Sequence, residues 1–323
     1  MKNTREYPFA VTSCQEYTKL SPKWRISPVT VCVAAVFNNS SILGASDRML
    51  TAGDIQFQPQ SPKIWPLSNS IAIMMAGDMG LHAQIFQAVA PIVNERIRAN
   101  PNEWLKVSEI AELYSQTFFD FRLRRAEREI LLPLGLNRET FISRQQQLSP
   151  NLVEELTTKM LRLRVPETGA IIAGIDGPPN TAHLYVVENG NVRCEDGVGF
   201  AAIGAGYWHA DSQFMVARHT RQATVSQALL NTFWAKKRAE VAPGVGSETD
   251  MFVVGPALGS LVNVNETVIR DLEKIYKQTL RRQRAFNIRT EKAVENYLQV
   301  LSKTQAQVPT PPPPPPPAPE NKT

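Results

Sequence analysis

Cysteine is scarce in this 323-residue chain: Cys14, Cys32 and Cys194 are an odd number at wide spacing. That excludes a disulfide framework or a thiolate zinc site as the basis of the fold. Histidine is almost as sparse, and His82, His183, His209 and His219 are scattered, so no metal-ligand cluster can be read. Long apolar runs are missing. The longest, Val31 to Phe37, falls far short of the roughly 20 residues of a membrane helix. The opening MKNTREYPF is charged and lacks the apolar segment of a secretory signal. A cytoplasmic protein without a membrane partner is expected. The serine-hydrolase elbow and the P-loop are absent as well. Gly204-x-Gly206 hints at a dinucleotide fingerprint, but His209 stands where its third glycine belongs and no βαβ unit surrounds it. No cofactor and no metal are expected.

What is present is an ordinary globular composition, 43% hydrophobic and 20% charged, long enough for a large core. The net charge of +5 gathers in short clusters, Arg122–Arg128, Lys236–Arg238 and Arg281–Arg284. They fall in helical stretches without interleaved aromatics, so solvated helix faces are expected and nucleic acid is not. Near the end, TPPPPPPPAPENKT cannot pack into a core and reads as an exposed polyproline II rod within a disordered tail, 303–323. An aromatic groove on a partner could receive it. The folded region is placed at 29–302.

Within it, Thr30–Phe37 and Ser41–Ser46 are β-rich runs joined by Asn38-Asn39, a hairpin signature. Lys63–Pro66 and Ser70–Ala76 read as a second hairpin. A helix follows over Met79–Arg98, with Leu81, Ile85, Val89 and Ile92 on its inner face. Ile110, Leu113, Tyr114, Thr117, Phe118 and Phe121 mark another helix over about 107–130. A less regular helical stretch fills about 131–165. Strands return at Gly169–Ile175, Ala182–Glu188, Val192–Cys194 and Phe200–Ile203. Two helices (about 207–221 and 226–240), strands at Thr249–Val254 and Ser260–Val264, and a long charged helix from Glu266 complete the chain. Strands grouped by hairpins, with helices set apart, predict an α+β fold of antiparallel sheets covered by helices.

Four local stretches add a resemblance. "ILGASDRMLTAG", "SPKIWPL", "IAIMMAGDMG" and "IIAGID…HLYVVENGNV…FAAIGAG" occur in the order seen in the proteasome β-subunit family of N-terminal-nucleophile hydrolases. The resemblance spans about 30–265 apart from 131–165, which is read as a helical insertion. It implies a four-layer αββα sandwich, two antiparallel sheets between helical layers. It also implies hydrolysis of a peptide or other amide bond, and assembly with copies of itself into a ring or spiral. In that family an N-terminal threonine is both nucleophile and, through its α-amine, base. By resemblance Thr30 is that nucleophile, Lys63 tunes protonation, Asp47 holds Lys63, and the Gly77 N–H stabilises the oxyanion.

Each of these residues also has a structural reading. Thr30 can be an ordinary strand threonine, Lys63 a strand-edge lysine, Asp47 the surface partner of Arg48, and Gly77 a turn. Cys32, two residues along the strand, is either a rival nucleophile or a small buried side chain. The chain also departs from the family. Gly204-Ala205-Gly206 replaces Gly-Ser-Gly, and EVAPGVGSETD lacks an acid at the family's position, leaving Ser247, Glu248 or Asp250 as substitutes. These departures are what a catalytically inactive, proteasome-like assembly or binding subunit would show.

An α-amine on Thr30 requires that residues 1–28 be an extension removed as a propeptide, or a mis-assigned start. Pro28-Val29 makes a stiff junction, ill suited to self-cleavage. Valine is also the residue assigned to GTG, an alternative initiation codon. Initiation there followed by methionine removal would leave Thr30 first, and this is the expected route.

Overall fold

The computed structural model describes residues 30–52, 55–57, 63–101, 103–257 and 259–306. The expected extension at 1–28, the Val29–Thr30 junction, Gly53, Ser61-Pro62 and the polyproline run lie outside them. The chain divides into two compact units, 1–264 and 265–323.

Strands β1 (Val31–Phe37) and β2 (Ser41–Asp47) are buried along their whole length. A strand is apolar on both sides only where both sides are covered. The hairpin between them turns on Asn38 and Asn39, with φ of 50° and 59°. Two consecutive residues at positive φ match the right-handed twist of the flanking strands, and asparagine tolerates that conformation. A short ribbon of β3 (Leu50–Ala52) and β4 (Ile55–Phe57) follows, which the sequence pattern did not suggest. Next come β5 (Ile64–Ser68), β6 (Ile71–Gly77), β7 (Thr168–Ile175), β8 (Ala182–Glu188), β9 (Asn191–Cys194), β10 (Phe200–Gly204), β11 (Thr249–Val254) and β12 (Val262–Asn263).

The strands form two five-stranded sheets, ordered β10-β1-β2-β11-β12 and β5-β6-β7-β8-β9, and every pair is antiparallel. This is the α+β class that the hairpin grouping predicts. One core joins them: Cys32, Ala34, Val36, Ile42 and Phe252 of the first sheet pack with Met74, Ile171, Ala173 and Leu184 of the second. The intervening residues of the second sheet, Ile73, Met75, Ala170 and Ile172, point the other way and pack with helices. Those helices are α1 (Met79–Ala99), through Leu81, Ile85 and Val89, and α2 (Val107–Ala126), through Ile110, Tyr114 and Phe118. The period-two alternation of β6 therefore serves two cores at once.

Beyond α2 the helical stretch expected near 131–165 comprises a π turn (Glu127–Leu131), α3 (Arg138–Ser143) and α4 (Pro150–Arg162). It has its own small core of Leu131, Leu136, Phe141 and Leu156. After β10, α5 (Tyr207–Val216) and α6 (Val225–Ala239) pack against each other, α5 also on β1 and β10 and α6 on β1 and β2. The second unit begins with α7 (Glu266–Ala306), a 41-residue helix. Among the described residues no helix is long and apolar enough to cross a membrane.

Two readings need correction. In α1 the inner stripe continues to Val93, fully buried, and Ile92 is 40% exposed. The run 81, 85, 89, 93 keeps to one stacked row of the helix. The cluster Lys236–Arg238 is not a solvated face either: Lys236 is 0% exposed and Lys237 8%, and only Arg238 reaches solvent. Helix α6 is covered on several sides, with Ala228, Phe233, Ala235 and Ala239 also buried.

Candidate active site

Polar residues sit where the buried strands end. Thr30 immediately precedes β1, Asp47 closes β2, and Lys63 immediately precedes β5 of the facing sheet. All three are buried, Thr30 at 3% and Asp47 and Lys63 at 0% exposure. The Lys63 ammonium donates one hydrogen bond to Thr30 Oγ1 and another, of 2.8 Å, to Asp47 Oδ1. Met75 N–H donates to the Lys63 carbonyl at 3.0 Å, fixing the lysine backbone to β6. The strand-edge reading of Lys63 is thus excluded.

Asp47 does not pair with its neighbour Arg48, which instead donates to Asp250 at 2.6 and 2.9 Å. The Asp47 carboxylate accepts from Lys63 Nζ and from Val31 N–H (3.0 Å) on Oδ1. On Oδ2 it accepts from Met49 N–H (3.0 Å) and Gly246 N–H (2.9 Å). A buried carboxylate is tolerable only with such full satisfaction, because transfer out of water costs several kcal/mol otherwise. The Thr30 backbone is equally constrained. Its carbonyl accepts from Ala205 N–H at 2.7 Å, and a Cβ on Gly204 (φ +93°) would collide with that carbonyl. Only glycine permits this approach.

Gly77 ends β6 at φ +106°, with the Glu167 carbonyl packed where a side chain would stand. The preceding residue, Ala76, brings its methyl group within 3.3 Å of where a Gly204 Cβ would lie. The residue before Gly77 thus packs against Gly204, which adjoins the Thr30 carbonyl. Its strand end is tied down by His82 on α1. Ala76 O can only accept, so His82 donates from Nε2 (2.9 Å) and its Nδ1 accepts from the Tyr114 hydroxyl. Burial lowers the His82 pKa to about 4, keeping the ring neutral. In the sequence His82 is only one of four scattered histidines; its place beside Ala76-Gly77 is visible only in three dimensions.

Cys32 faces the core between the sheets, and its thiol donates to the Met75 carbonyl at 3.4 Å. Burial pushes its pKa up to about 12, so it remains a thiol at neutral pH. That favours the buried small residue over the rival nucleophile. Of the proposed substitutes for the missing acid, Asp250 is committed to Arg48 and Glu248 is exposed. The Ser247 carbonyl accepts from Lys236 at 3.0 Å. Among the described residues no group of three or more His, Cys, Asp or Glu is placed to hold a metal ion.

The chemistry this cluster can support is local. A threonine hydroxyl lies against a buried ammonium whose charge favours the ionised oxygen, and the ammonium is held by a carboxylate with no other freedom. No protein-family model matches the chain. No curated protein matches it either.

Proposed function

We propose that this chain is a threonine-type N-terminal-nucleophile hydrolase, cleaving a peptide or other amide bond on a proteasome-like αββα sandwich. The observation that carries the reading is the buried Lys63 ammonium, bonded at once to Thr30 Oγ1 and Asp47 Oδ1. The sheet-on-sheet core, with α1 and α2 on the second sheet and α5 and α6 on the first, supports the layer order.

In this mechanism the Thr30 hydroxyl attacks the amide carbonyl carbon and gives its proton to the Thr30 α-amine. The tetrahedral oxyanion is stabilised by the Gly77 N–H, a contact worth roughly 3 kcal/mol. Collapse expels the substrate amine, which takes the proton and leaves an ester on Thr30 Oγ1. Water, deprotonated by the same α-amine, then hydrolyses the ester and frees the hydroxyl. Lys63 stabilises the charged oxygen and helps keep the amine neutral, and Asp47 holds Lys63 in place. Thr30→Ala and Lys63→Ala should each abolish turnover, whereas Cys32→Ala should retain most of it. A β-lactone or epoxyketone should leave its mass on the peptide that begins at Thr30.

Two observations favour a second reading, a catalytically inactive assembly subunit. Ala205, hydrogen-bonded to the Thr30 carbonyl, offers no hydroxyl beside the nucleophile, and Asp250 is paired elsewhere. Protein carrying a free Thr30 amine that gives neither adduct nor cleavage of broad peptide libraries would establish that reading instead.

A further inference from the structure

We infer that Lys236 is a positioning residue for the Thr30 site, acting through Gly246 on the Asp47 carboxylate. This rests on the hydrolase reading above and extends it to a residue that touches neither Thr30 nor Lys63.

The side chain of Lys236 lies in the last turn of α6 and is 0% exposed. A buried ammonium must be fully hydrogen-bonded to be tolerated. Its three protons have three acceptors: Glu240 Oε1 at 2.6 Å, the Gly246 carbonyl at 2.9 Å and the Ser247 carbonyl at 3.0 Å. Glu240 also binds Lys237 at 2.8 Å, so one carboxylate serves both lysines. Two of the three bonds of Lys236 therefore clamp consecutive carbonyls of the loop that leads into β11.

That loop meets the site at Gly246, whose N–H donates to Asp47 Oδ2 at 2.9 Å. The fit is tight. A Cβ on Gly246 would lie 2.9 Å from Met49 Cβ and 3.2 Å from Asp47 Oδ2, so nothing larger than glycine reaches this position undisturbed. The connection runs Lys236, Gly246 carbonyl, Gly246 N–H, Asp47, Lys63, Thr30, each step a hydrogen bond except the covalent path through the Gly246 Cα. Burial lowers the Lys236 pKa from its ordinary value, with Glu240 opposing the shift. From α6 the lysine thus reaches the loop where the resemblance expects an acid, and it orders that loop by holding carbonyls. Without the clamp the height of Gly246 over Asp47 would rest on packing and its own N–H bond alone. Displacements of about 1 Å around a reacting centre can cost up to about a hundredfold in rate.

The test uses Lys236→Met, which keeps the length and removes the charge, and Lys236→Arg, which keeps the charge. Both are made in the native gene product, with the mature N-terminus read by intact mass. Two quantities are measured. The first is amide hydrogen exchange at Gly246, which needs no activity. Lys236→Met should speed it about tenfold while buried β1 amides keep their protection, and Lys236→Arg should restore most of the slowing. The second is inactivation by a β-lactone. Its maximal rate should fall about tenfold or more in Lys236→Met, with the half-saturating concentration unchanged, and recover in Lys236→Arg.

Unchanged Gly246 exchange in Lys236→Met would overturn the inference, and so would faster exchange with an unchanged inactivation rate. If Lys236→Met does not fold, Lys236→Gln, which also removes the charge, takes its place, and wild-type values in both measurements there count against the inference. A wild-type protein with a free Thr30 amine that is never inactivated would overturn the hydrolase reading, and any role of Lys236 in catalysis with it. The exchange measurement would still report on the clamp itself.

Discussion

Asp47 concentrates four hydrogen bonds on two oxygens with no exposure to solvent. A buried ion pair contributes little net stability as a pair, but losing one member strands the other. Lys63→Met should therefore destabilise the fold by about 3–5 kcal/mol, seen as a lower denaturant midpoint with an unchanged slope. A loss under 1 kcal/mol would mean that water reaches Asp47 in solution. His82 makes a different demand. Its pKa in the fold, about 4, lies below the ordinary 6.5, so the unfolded chain binds more protons between those values. Stability contributed by the neutral ring is present above pH 6.5 and is lost as pH falls towards 4. His82→Gln should flatten the decline between pH 6.5 and 4 in a series of denaturation curves. A wild-type profile in the variant would remove His82 as its cause.

Between elements, backbone proximity sets the constraints. Strands β2 and β11 pair with Gly44 opposite Phe252, and the Phe252 ring occupies the space where a Gly44 side chain would be. Gly44→Ala should cost about 1–3 kcal/mol through overpacking, and Phe252→Leu in the same chain should recover part of it. Additive losses in that pair of variants would show that the ring is not the obstacle. On the second sheet, His183 of β8 binds Asp196, in the turn after β9, at 2.6 Å, with Asp176 3.6 Å away. The hydrogen bond to Asp196 and the two carboxylates raise the His183 pKa. A raised pKa means the stabilisation is complete below the ordinary value of about 6.5 and is lost as pH rises through the folded value. His183→Gln should therefore be less stable than wild type at pH 6 and approach it at pH 9. A gap that widens with pH would refute this account of the clamp.

For the whole molecule, the hydrolase reading requires a free α-amine on Thr30. Intact mass of protein made from its native gene should correspond to a chain beginning at Thr30; a mature chain starting at Met1 with Val29–Thr30 uncut rules out the mechanism. The same reading proposes self-assembly into a ring or spiral, for which native mass spectrometry should show a multiple of the single-chain mass. Much of the architecture was legible beforehand because its signals are local. The Asn38-Asn39 turn, the alternation of β6 and the apolar stripe of α2 are written within a few residues of one another. Ile92 was misplaced because helical periodicity leaves adjacent positions nearly equivalent at the edge of a stripe. The short ribbon of β3 and β4 carries too few residues for a pattern to show.

By itself the sequence determined the order of strands and helices, their antiparallel grouping and four candidate residues carried by resemblance. Tertiary structure alone decided their relations. Thr30 and Lys63 are 33 residues apart and adjoin strands of different sheets, so no spacing in the chain encodes their hydrogen bond. Asp47 and Arg48 are neighbours in sequence yet take different partners, because Asp47 ends β2 in the interior while Arg48, just beyond the strand, is partly exposed and meets Asp250. Lys236 reads as one of three surface charges, but helix α6 turns it inward onto the carbonyls of a loop ten residues later. Local patterns follow from backbone geometry and short-range burial. Which polar groups meet in the interior depends on how sheets and helices stack, and that is fixed by packing over the whole fold.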